Sequence, residues 1–197
     1  MNIIKNEFWA TPVWEIDTGL DEYFNSVLEY DVAAIANTGD YYDIWDSKSW
    51  SINKLKDVIL EALDLTVKEL FPPYHPYNPH FIDGWGQKTA PGEDLLLHGH
   101  PHAVCVATYY AKAPPKSGDL LLVDARGTVN WNMTDDPEAP RLLHGVAYKR
   151  IKPKAGKLVI FPGYVAHMVE VNRSNDDRLS IATNIVNKYN YKEKPRE

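Results

Sequence analysis

The sequence is poor in cysteine: Cys105 is the only one in 197 residues. A single thiol excludes an internal disulfide and is typical of a protein from a reducing compartment. Because Cys105 lies in an apolar run, we predict a small core residue rather than a nucleophile. The first seven residues do not resemble a signal peptide, and no apolar stretch approaches the roughly 18 residues of a membrane span. The sequence therefore predicts a cytoplasmic protein with no membrane segment.

The chain also lacks an excess of basic residues. It carries 21 Lys and Arg against 27 Asp and Glu, which gives a formal net charge of −6. No basic stripe interleaved with aromatic residues is present, so nucleic-acid binding is not expected.

The length suits one domain spanning residues 1–197. Residues 1–79 predict an N-terminal strand, Phe8 to Ile16, that Pro12 confines to a sheet edge, followed by two supporting helices. We predict that Asp17 and Thr18 cap the first helix and that the second runs from Ile52 to Phe71. Residues 80–187 form the core, and residues 188–197 form a charged tail.

After Pro79 the pattern changes to short apolar runs separated by turn residues. Such spacing predicts a mainly β (α+β) protein with a sandwich or barrel rather than alternating strands and helices. The predicted strands are Phe81 to Thr89, Ala103 to Ala111, Leu120 to Asp124, Val146 to Ile151, Lys157 to Phe161, Met168 to Val171 and Arg178 to Val186.

Three histidines stand on alternate positions: His98, His100 and His102. In an extended segment, side chains two residues apart point to the same face. We therefore expect His98 and His100, with His102 as a further candidate, to enter one space as metal ligands. The alternative for an isolated His-x-His is a solvated loop.

Two downstream segments favour the metal-site interpretation. A strand and turn from Lys157 deliver His167, and the strand that begins at Arg178 places Ser180 and Ala182 on the same face as the arginine. An inward arginine needs an anion, because an unpaired buried charge is costly. A guanidinium with a hydroxyl two residues away is well shaped for a carboxylate.

With these motifs in this order, the chain resembles the 2-oxoglutarate/Fe(II)-dependent oxygenases, in particular a small bacterial and phage branch with a His-x-His-Pro motif. The resemblance rests on six segments: Phe8 to Val13, His98 to Pro101, Tyr109-Tyr110, Ser117-Gly118, Phe161-Pro162 to His167, and Arg178 to Ser180. It implies a double-stranded β-helix (a cupin-like jelly roll) with the two N-terminal helices packed against it.

The resemblance also implies roles for individual residues. His98 and His167 would bind Fe(II), and Arg178 and Ser180 would hold the far carboxylate of 2-oxoglutarate. Tyr110 matches the position of a tyrosine that contacts that carboxylate in prolyl-hydroxylase-like enzymes, while Tyr109 faces away. Asn184 is a further candidate for contact with the co-substrate. The implied activity couples decarboxylation of 2-oxoglutarate to succinate with oxidation, most often hydroxylation, of a small molecule or a peptide or protein side chain.

One position departs from the wider superfamily, because His100 stands where an aspartate or glutamate ligand is expected. Three neutral imidazoles leave the full double positive charge of Fe(II), so bound 2-oxoglutarate would neutralise the site. Asp94 or Glu93 is an alternative source of a carboxylate ligand.

Two rival functions stay open. One is a three-histidine cupin-like metalloenzyme, with iron or zinc, that does not use 2-oxoglutarate. The other is a jelly-roll binding or structural module without catalysis. The pair Arg178 and Ser180 discriminates, since it has an obvious partner only if an oxo-diacid binds. Substrate and oligomeric state are not encoded in any motif, although the N-terminal edge strand is a candidate for homodimer formation.

Overall fold

Strands dominate the computed structural model, which describes residues 11–36, 43–71, 76–124 and 148–190. These parts contain two α-helices, α1 (Glu22–Ala36) and α2 (Trp50–Leu65), and short 3-10 turns at Ile44–Asp46, Val67–Leu70 and Lys188–Asn190. The strands are β1 (Trp14–Asp17), β2 (Pro79–Thr89), β3 (Leu95–His98), β4 (Cys105–Lys112), β5 (Leu120–Val123), β6 (Tyr148–Ile151), β7 (Lys157–Pro162), β8 (His167–Val169) and β9 (Arg178–Asn187).

The strands form two antiparallel sheets. The five-stranded sheet has the order β1-β7-β4-β9-β2, and the four-stranded sheet has the order β3-β8-β5-β6. Strands that are distant in sequence lie side by side, as β2 and β9 do over almost their whole length. This is the predicted double-stranded β-helix, with β1 on an edge of the larger sheet.

The two helices cover one face of the five-stranded sheet, which we call the helix face. Each helix repeats apolar residues at intervals of three and four, so one stripe is buried. Phe24, Leu28 and Val32 of α1 are buried with Leu55 and Ile59 of α2. Alternate residues of the strands complete this core, including Cys105, Ala107, Tyr109, Leu158, Ile160, Leu179 and Ile181.

A second core lies between the two sheets, on what we call the cavity face of the five-stranded sheet. Val106, Tyr110 and Phe161 contribute from the larger sheet, and Leu120 and Val169 contribute from the smaller one. Adjacent residues such as Tyr109 and Tyr110 therefore belong to different cores, because successive side chains alternate across a strand.

Several element boundaries differ from the sequence prediction. Helix α1 is capped by Asp21, whose Oδ1 accepts from the Phe24 amide at 2.8 Å. The predicted caps are wrong, because Gly19 turns the chain with a φ of +68° after Asp17. Helix α2 ends at Leu65, since Thr66 leaves helical geometry at φ −129° and ψ −80°.

The sequence pattern did not predict strand β3, which ends at the first histidine of the motif. Part of the predicted N-terminal strand, residues 8–10, lies outside the described residues, as do the start of the strand predicted from Val146 and most of the tail. No helix in the described ranges is both long and apolar enough to cross a membrane.

Candidate metal and co-substrate site

Strands β3 and β8 bring two of the predicted histidines together. His98 is the last residue of β3 and His167 is the first residue of β8, and the two are directly opposed in the antiparallel register. Opposed residues share a face of the sheet, so both imidazoles point into the space between the sheets. Their ring centroids are 4.2 Å apart.

The third histidine follows just after β3. The His100 amide donates to the Gly163 carbonyl at 2.9 Å, which ties the segment to the turn between β7 and β8. A side chain cannot be accommodated at Gly163, because a Cβ there would lie 2.4 Å from the Ala103 carbonyl oxygen and 2.6 Å from that of His100. The turn therefore fixes the backbone that carries His100.

One nitrogen from each of His98, His100 and His167 lies within 4.8 Å of the others. Nitrogens this close can converge on one ion, at the usual metal–nitrogen distance of about 2.0–2.1 Å, after small side-chain movements. His102, although it continues the alternation, lies outside this group; its ring centroid is 6.3 Å from that of His100, and the residue is exposed.

Burial keeps two of the three imidazoles, those of His167 and His100, in the neutral form that binds metals. It lowers the pKa of His167 to about 4, with smaller contributions from the neighbouring histidines. Burial also lowers the pKa of His100, and repulsion from His98 and His102 acts in the same direction. The Nδ1 atom of His98 lies 2.7 Å from the Leu96 carbonyl and that of His167 lies 3.1 Å from the Val165 carbonyl. These contacts occupy Nδ1 and leave Nε2 of both rings available to a metal.

Arg178, at the start of β9, lines the same cavity as the three histidines. The residue is only 1% exposed, and no carboxylate among the described residues forms an ion pair with it. Its Nε is buried without a hydrogen-bond partner in the described chain. A buried cation in this state calls for an anionic ligand.

The protein positions this guanidinium through neutral oxygens. Nη2 donates to the Thr89 hydroxyl at 3.0 Å, and Nη1 donates to the Gly118 carbonyl at 3.2 Å. Gly118 adopts a φ of +88°, and a Cβ there would lie 2.0 Å from the Glu170 carbonyl oxygen. The sequence analysis did not identify Thr89 as a site residue. The available signal was the alternation along β2, which places Thr89 on the same face as Trp85 and Gln87.

The remaining predicted co-substrate residues divide into two groups. Tyr110 and Ser180 line the cavity beside Arg178 and are buried. Burial raises the pKa of Tyr110 to about 12, so its hydroxyl stays protonated and can donate. Asn184 is buried on the same face of β9 but is not among the residues that line this cavity. Tyr109 faces the helices, as predicted.

The rest of the cavity wall is mainly apolar. Trp85 and Gln87 of β2 both line it, and the Trp85 ring stacks on His100 with centroids 6.0 Å apart. Thr108 and apolar side chains complete the wall: Leu95, Val106, Leu120, Val169 and Ala182. A mainly apolar wall lowers the local dielectric constant, so electrostatic interactions inside the cavity are stronger than in water.

No carboxylate belongs to the histidine group within the described parts of the chain. Of the two alternative ligands from the sequence, Glu93 accepts from the Ala90 amide at 2.8 Å and Asp94 is exposed. The geometry thus brings together three histidines without either acid.

Residues 83–184 match the profile of the family described as "Putative 2OG-Fe(II) oxygenase". The match spans more than half of the chain, and the chain belongs to this family. It is a 2-oxoglutarate-dependent dioxygenase that uses Fe(II), as the sequence motifs predicted. No curated protein matches the sequence at a significant level.

Solved structures support the fold assignment. A Pseudomonas putida prolyl-4-hydroxylase is similar with a TM-score of 0.62 and 16% identity, over 89% of this chain and 88% of that one. HygX from Streptomyces hygroscopicus, solved with nickel and 2-oxoglutarate bound, gives 0.63 and 13%, over 91% and 83%. The viral collagen prolyl hydroxylase of Paramecium Bursaria Chlorella virus-1 gives 0.59 and 14%, over 94% and 98%.

Proposed function

We propose that His98, His100 and His167 hold the Fe(II) of this oxygenase and that Arg178, Ser180 and Tyr110 hold the far carboxylate of 2-oxoglutarate. The observation that carries the proposal is the shared cavity. It contains three converging imidazoles and, beside them, a buried guanidinium that the described chain leaves without a carboxylate. When bound, the iron supplies the O₂ activation that couples 2-oxoglutarate decarboxylation to substrate oxidation.

The residues of the cavity are chemically suited to Fe(II) and to 2-oxoglutarate. Neutral imidazoles are good ligands for Fe(II), and the lowered pKa of His167 and His100 keeps them available at neutral pH. A dianionic 2-oxoglutarate balances the positive charge that a three-histidine site leaves on the metal. The Arg178 guanidinium, held between Thr89 and Gly118, offers its unpaired Nε to the carboxylate.

The protein's own contribution is positioning. Tyr110 offers a protonated hydroxyl, Ser180 offers a second one, and the apolar wall excludes water from the ion–carboxylate contacts. Asn184 lies further along the same strand, so we assign it to the substrate side of the site rather than to the co-substrate.

The reaction we propose is hydroxylation of a small molecule or of a peptide side chain. The names of structural neighbours agree with this range, since they include prolyl hydroxylases and an epimerase and a carbocyclase from nogalamycin biosynthesis. A cytoplasmic location, lack of nucleic-acid binding and a homodimer through the β1 edge stay predictions from the sequence.

The two rival functions do not explain why Arg178 is buried. A three-histidine enzyme without 2-oxoglutarate, or a binding module, gives no reason for a guanidinium buried to 1% exposure with an unpaired Nε. The cost of such a buried charge favours the oxo-diacid interpretation.

The test is an anaerobic titration of the metal-free protein with Fe(II) and then 2-oxoglutarate, followed by visible absorption. We expect a metal-to-ligand charge-transfer band that requires both additions. In Arg178→Gln, 2-oxoglutarate affinity should fall about 10- to 100-fold, because a charge-assisted bond is lost. The exposed Arg150, which pairs with Asp119 and Glu170, supplies the matched control Arg150→Gln with unchanged affinity.

Each other result has a definite meaning. Iron binding without a new band would remove 2-oxoglutarate and favour the other three-histidine enzyme. Iron binding that survives His100→Ala undiminished would contradict the ligand set. No iron binding in the unmodified protein would reject the metal assignment.

A further inference from the structure

Two polar side chains outside the cavity wall each carry one buried oxygen without a hydrogen-bond partner within the described residues. Asp83 of β2 and Asn184 of β9 are directly opposed in the sheet register, so their side chains share one face. The Oδ1 atom of each is buried and accepts no hydrogen bond within the described residues. Asn184 is 3% exposed, and a buried acceptor without a partner destabilises the folded protein.

The shared face is the cavity face. On β9, Asn184 continues the row of alternate residues formed by Arg178, Ser180 and Ala182. On β2, Asp83 lies two residues before Trp85, whose ring stacks on His100. The intervening Gly84 faces the helices, because a Cβ there would lie 2.1 Å from Trp45 Nε1.

The side chains along this face differ in chemistry from one end to the other. Arg178, paired with Thr89, lies at one end, Ala182 and Trp85 lie beside the histidines, and the Asp83–Asn184 pair lies at the other end. Along a strand the six-residue separation of Arg178 and Asn184 spans roughly 20 Å. The histidine group thus lies between a cationic anchor and a pair of free acceptors.

The neighbouring side chains of Thr183 and Trp45, by contrast, have hydrogen-bond partners. The Thr183 hydroxyl donates to the Asp83 carbonyl at 2.6 Å and accepts from Trp45 Nε1 at 2.9 Å. No lysine or arginine among the described residues forms an ion pair with Asp83. A carboxylate oxygen and an amide oxygen without donors are suited to an incoming cationic donor.

We propose that Asp83 and Asn184 form a substrate subsite that binds a protonated amine or guanidinium, so that the oxidised substrate is a cationic small molecule or a lysine- or arginine-like side chain. This inference rests on the proposed function for the location of the reaction. The new element is the chemical class of the substrate group that would bind at the Asp83–Asn184 end of the cavity face. Neutral hydroxyl compounds satisfy the acceptors but leave the Asp83 charge uncompensated.

The experiment compares capped amino-acid amides by calorimetry. N-acetyl-lysine amide and N-acetyl-arginine amide are the cationic probes, and N-acetyl-norleucine amide is the neutral one. They are titrated into metal-free protein and into anaerobic protein with Fe(II) and 2-oxoglutarate. We expect at least one cation to bind about tenfold or more tightly than norleucine amide.

Variants assign that preference to the pair. Asp83→Asn should remove it with little change in shape, and Asn184→Asp should strengthen it. The exposed Asp94 supplies the control Asp94→Asn, which also removes one negative charge but should leave the preference intact. Thermal unfolding of each variant identifies any loss of folding.

Three results would overturn the subsite: no binding of either cation, equal binding of cationic and neutral probes, or a preference that Asp83→Asn does not change. A drop in thermal stability without a change in probe binding would mean that the two side chains serve folding only. The proposed function fails separately, since cation binding by the metal-free protein with no charge-transfer band would retain the subsite and remove the 2-oxoglutarate assignment.

Discussion

The two faces of the five-stranded sheet differ in how completely their polar groups are paired. On the helix face, the Tyr109 hydroxyl donates to Asn25 at 2.6 Å and Trp45 Nε1 donates to Thr183. On the cavity face, buried polar atoms of Arg178 and Asn184 have no partner within the described residues. Both faces are built from the same strands, at alternate residues.

We infer from this difference that the helix face contributes mainly to stability and the cavity face mainly to ligand binding. The helix face is mainly apolar, and the polar side chains named above are paired, although the Tyr77 hydroxyl beside its core is buried without a partner within the described residues. Its residues therefore act mainly through stability. The cavity face retains unsatisfied polar atoms at a cost that only a ligand recovers. Substitutions on the two faces should therefore change different measurements, even at neighbouring positions.

The largest effect should come from the histidine group. Removing a metal ligand in His167→Ala should lower Fe(II) affinity by more than about 100-fold, since even residues that only orient ligands contribute 10- to 100-fold. His102→Ala, outside the group, should bind Fe(II) like the unmodified protein. Anaerobic Fe(II) titration measures both, and equal losses in the two variants would contradict the ligand assignment.

On the helix face, Leu55→Ala should lower the free energy of unfolding by about 2–5 kcal/mol, because it leaves a cavity in the core. Leu55 is fully buried, whereas Leu65 of the same helix is 76% exposed. Leu65→Ala should change stability by less than about 0.5 kcal/mol. Urea unfolding gives both values. If folded Leu55→Ala had a changed 2-oxoglutarate affinity, the inference that helix-face residues act on stability alone would be wrong.

Acid should destabilise the cavity face through His167. Its pKa in the folded, metal-free protein is lowered to about 4 from 6.5 by burial. The unfolded state binds the proton first as the pH falls below about 6.5, so the free energy of unfolding decreases until the pH passes below about 4. The contribution is roughly 3 kcal/mol.

Urea unfolding with a chelator, at neutral pH and near pH 4, checks this effect against His167→Gln. The variant should lack this part of the pH dependence and retain the part due to carboxylates. Identical pH dependence in the two proteins would show that His167 titrates normally.

The smallest effects test neighbouring tyrosines. Tyr109→Phe loses the bond to Asn25 and should lower stability by about 1 kcal/mol without changing 2-oxoglutarate affinity. Tyr110→Phe should leave stability within about 0.5 kcal/mol and weaken 2-oxoglutarate binding about two- to tenfold. A reversal of these two outcomes would contradict the face assignment.

Much of this arrangement could be predicted from the sequence, because strand alternation is a local property. The opposite orientations of Tyr109 and Tyr110, and the inward row from Arg178 to Ala182, follow from a period of two. The oxygenase family and the double-stranded β-helix followed from the order of the motifs. The site residues themselves stay predictions until iron and 2-oxoglutarate are bound in solution.

What the sequence missed depends on contacts between distant segments. The support of Arg178 by Thr89 requires the pairing of β2 with β9, which local periodicity does not specify. His102 continues the alternation but lies beyond the end of β3, where the chain turns. The true cap of α1 depends on the turn at Gly19.

The backbone packing at Gly163 also limits which sequences this site tolerates. The two carbonyl oxygens that a Cβ would strike belong to main chain, so no rotamer change relieves the contact. One of them is the carbonyl of His100, whose amide donates to the Gly163 carbonyl, so the backbone that carries His100 is packed against the turn between β7 and β8. In a randomised library at position 163, we expect selection for Fe(II) binding to recover glycine, although Gly163 is not among the residues that line the cavity.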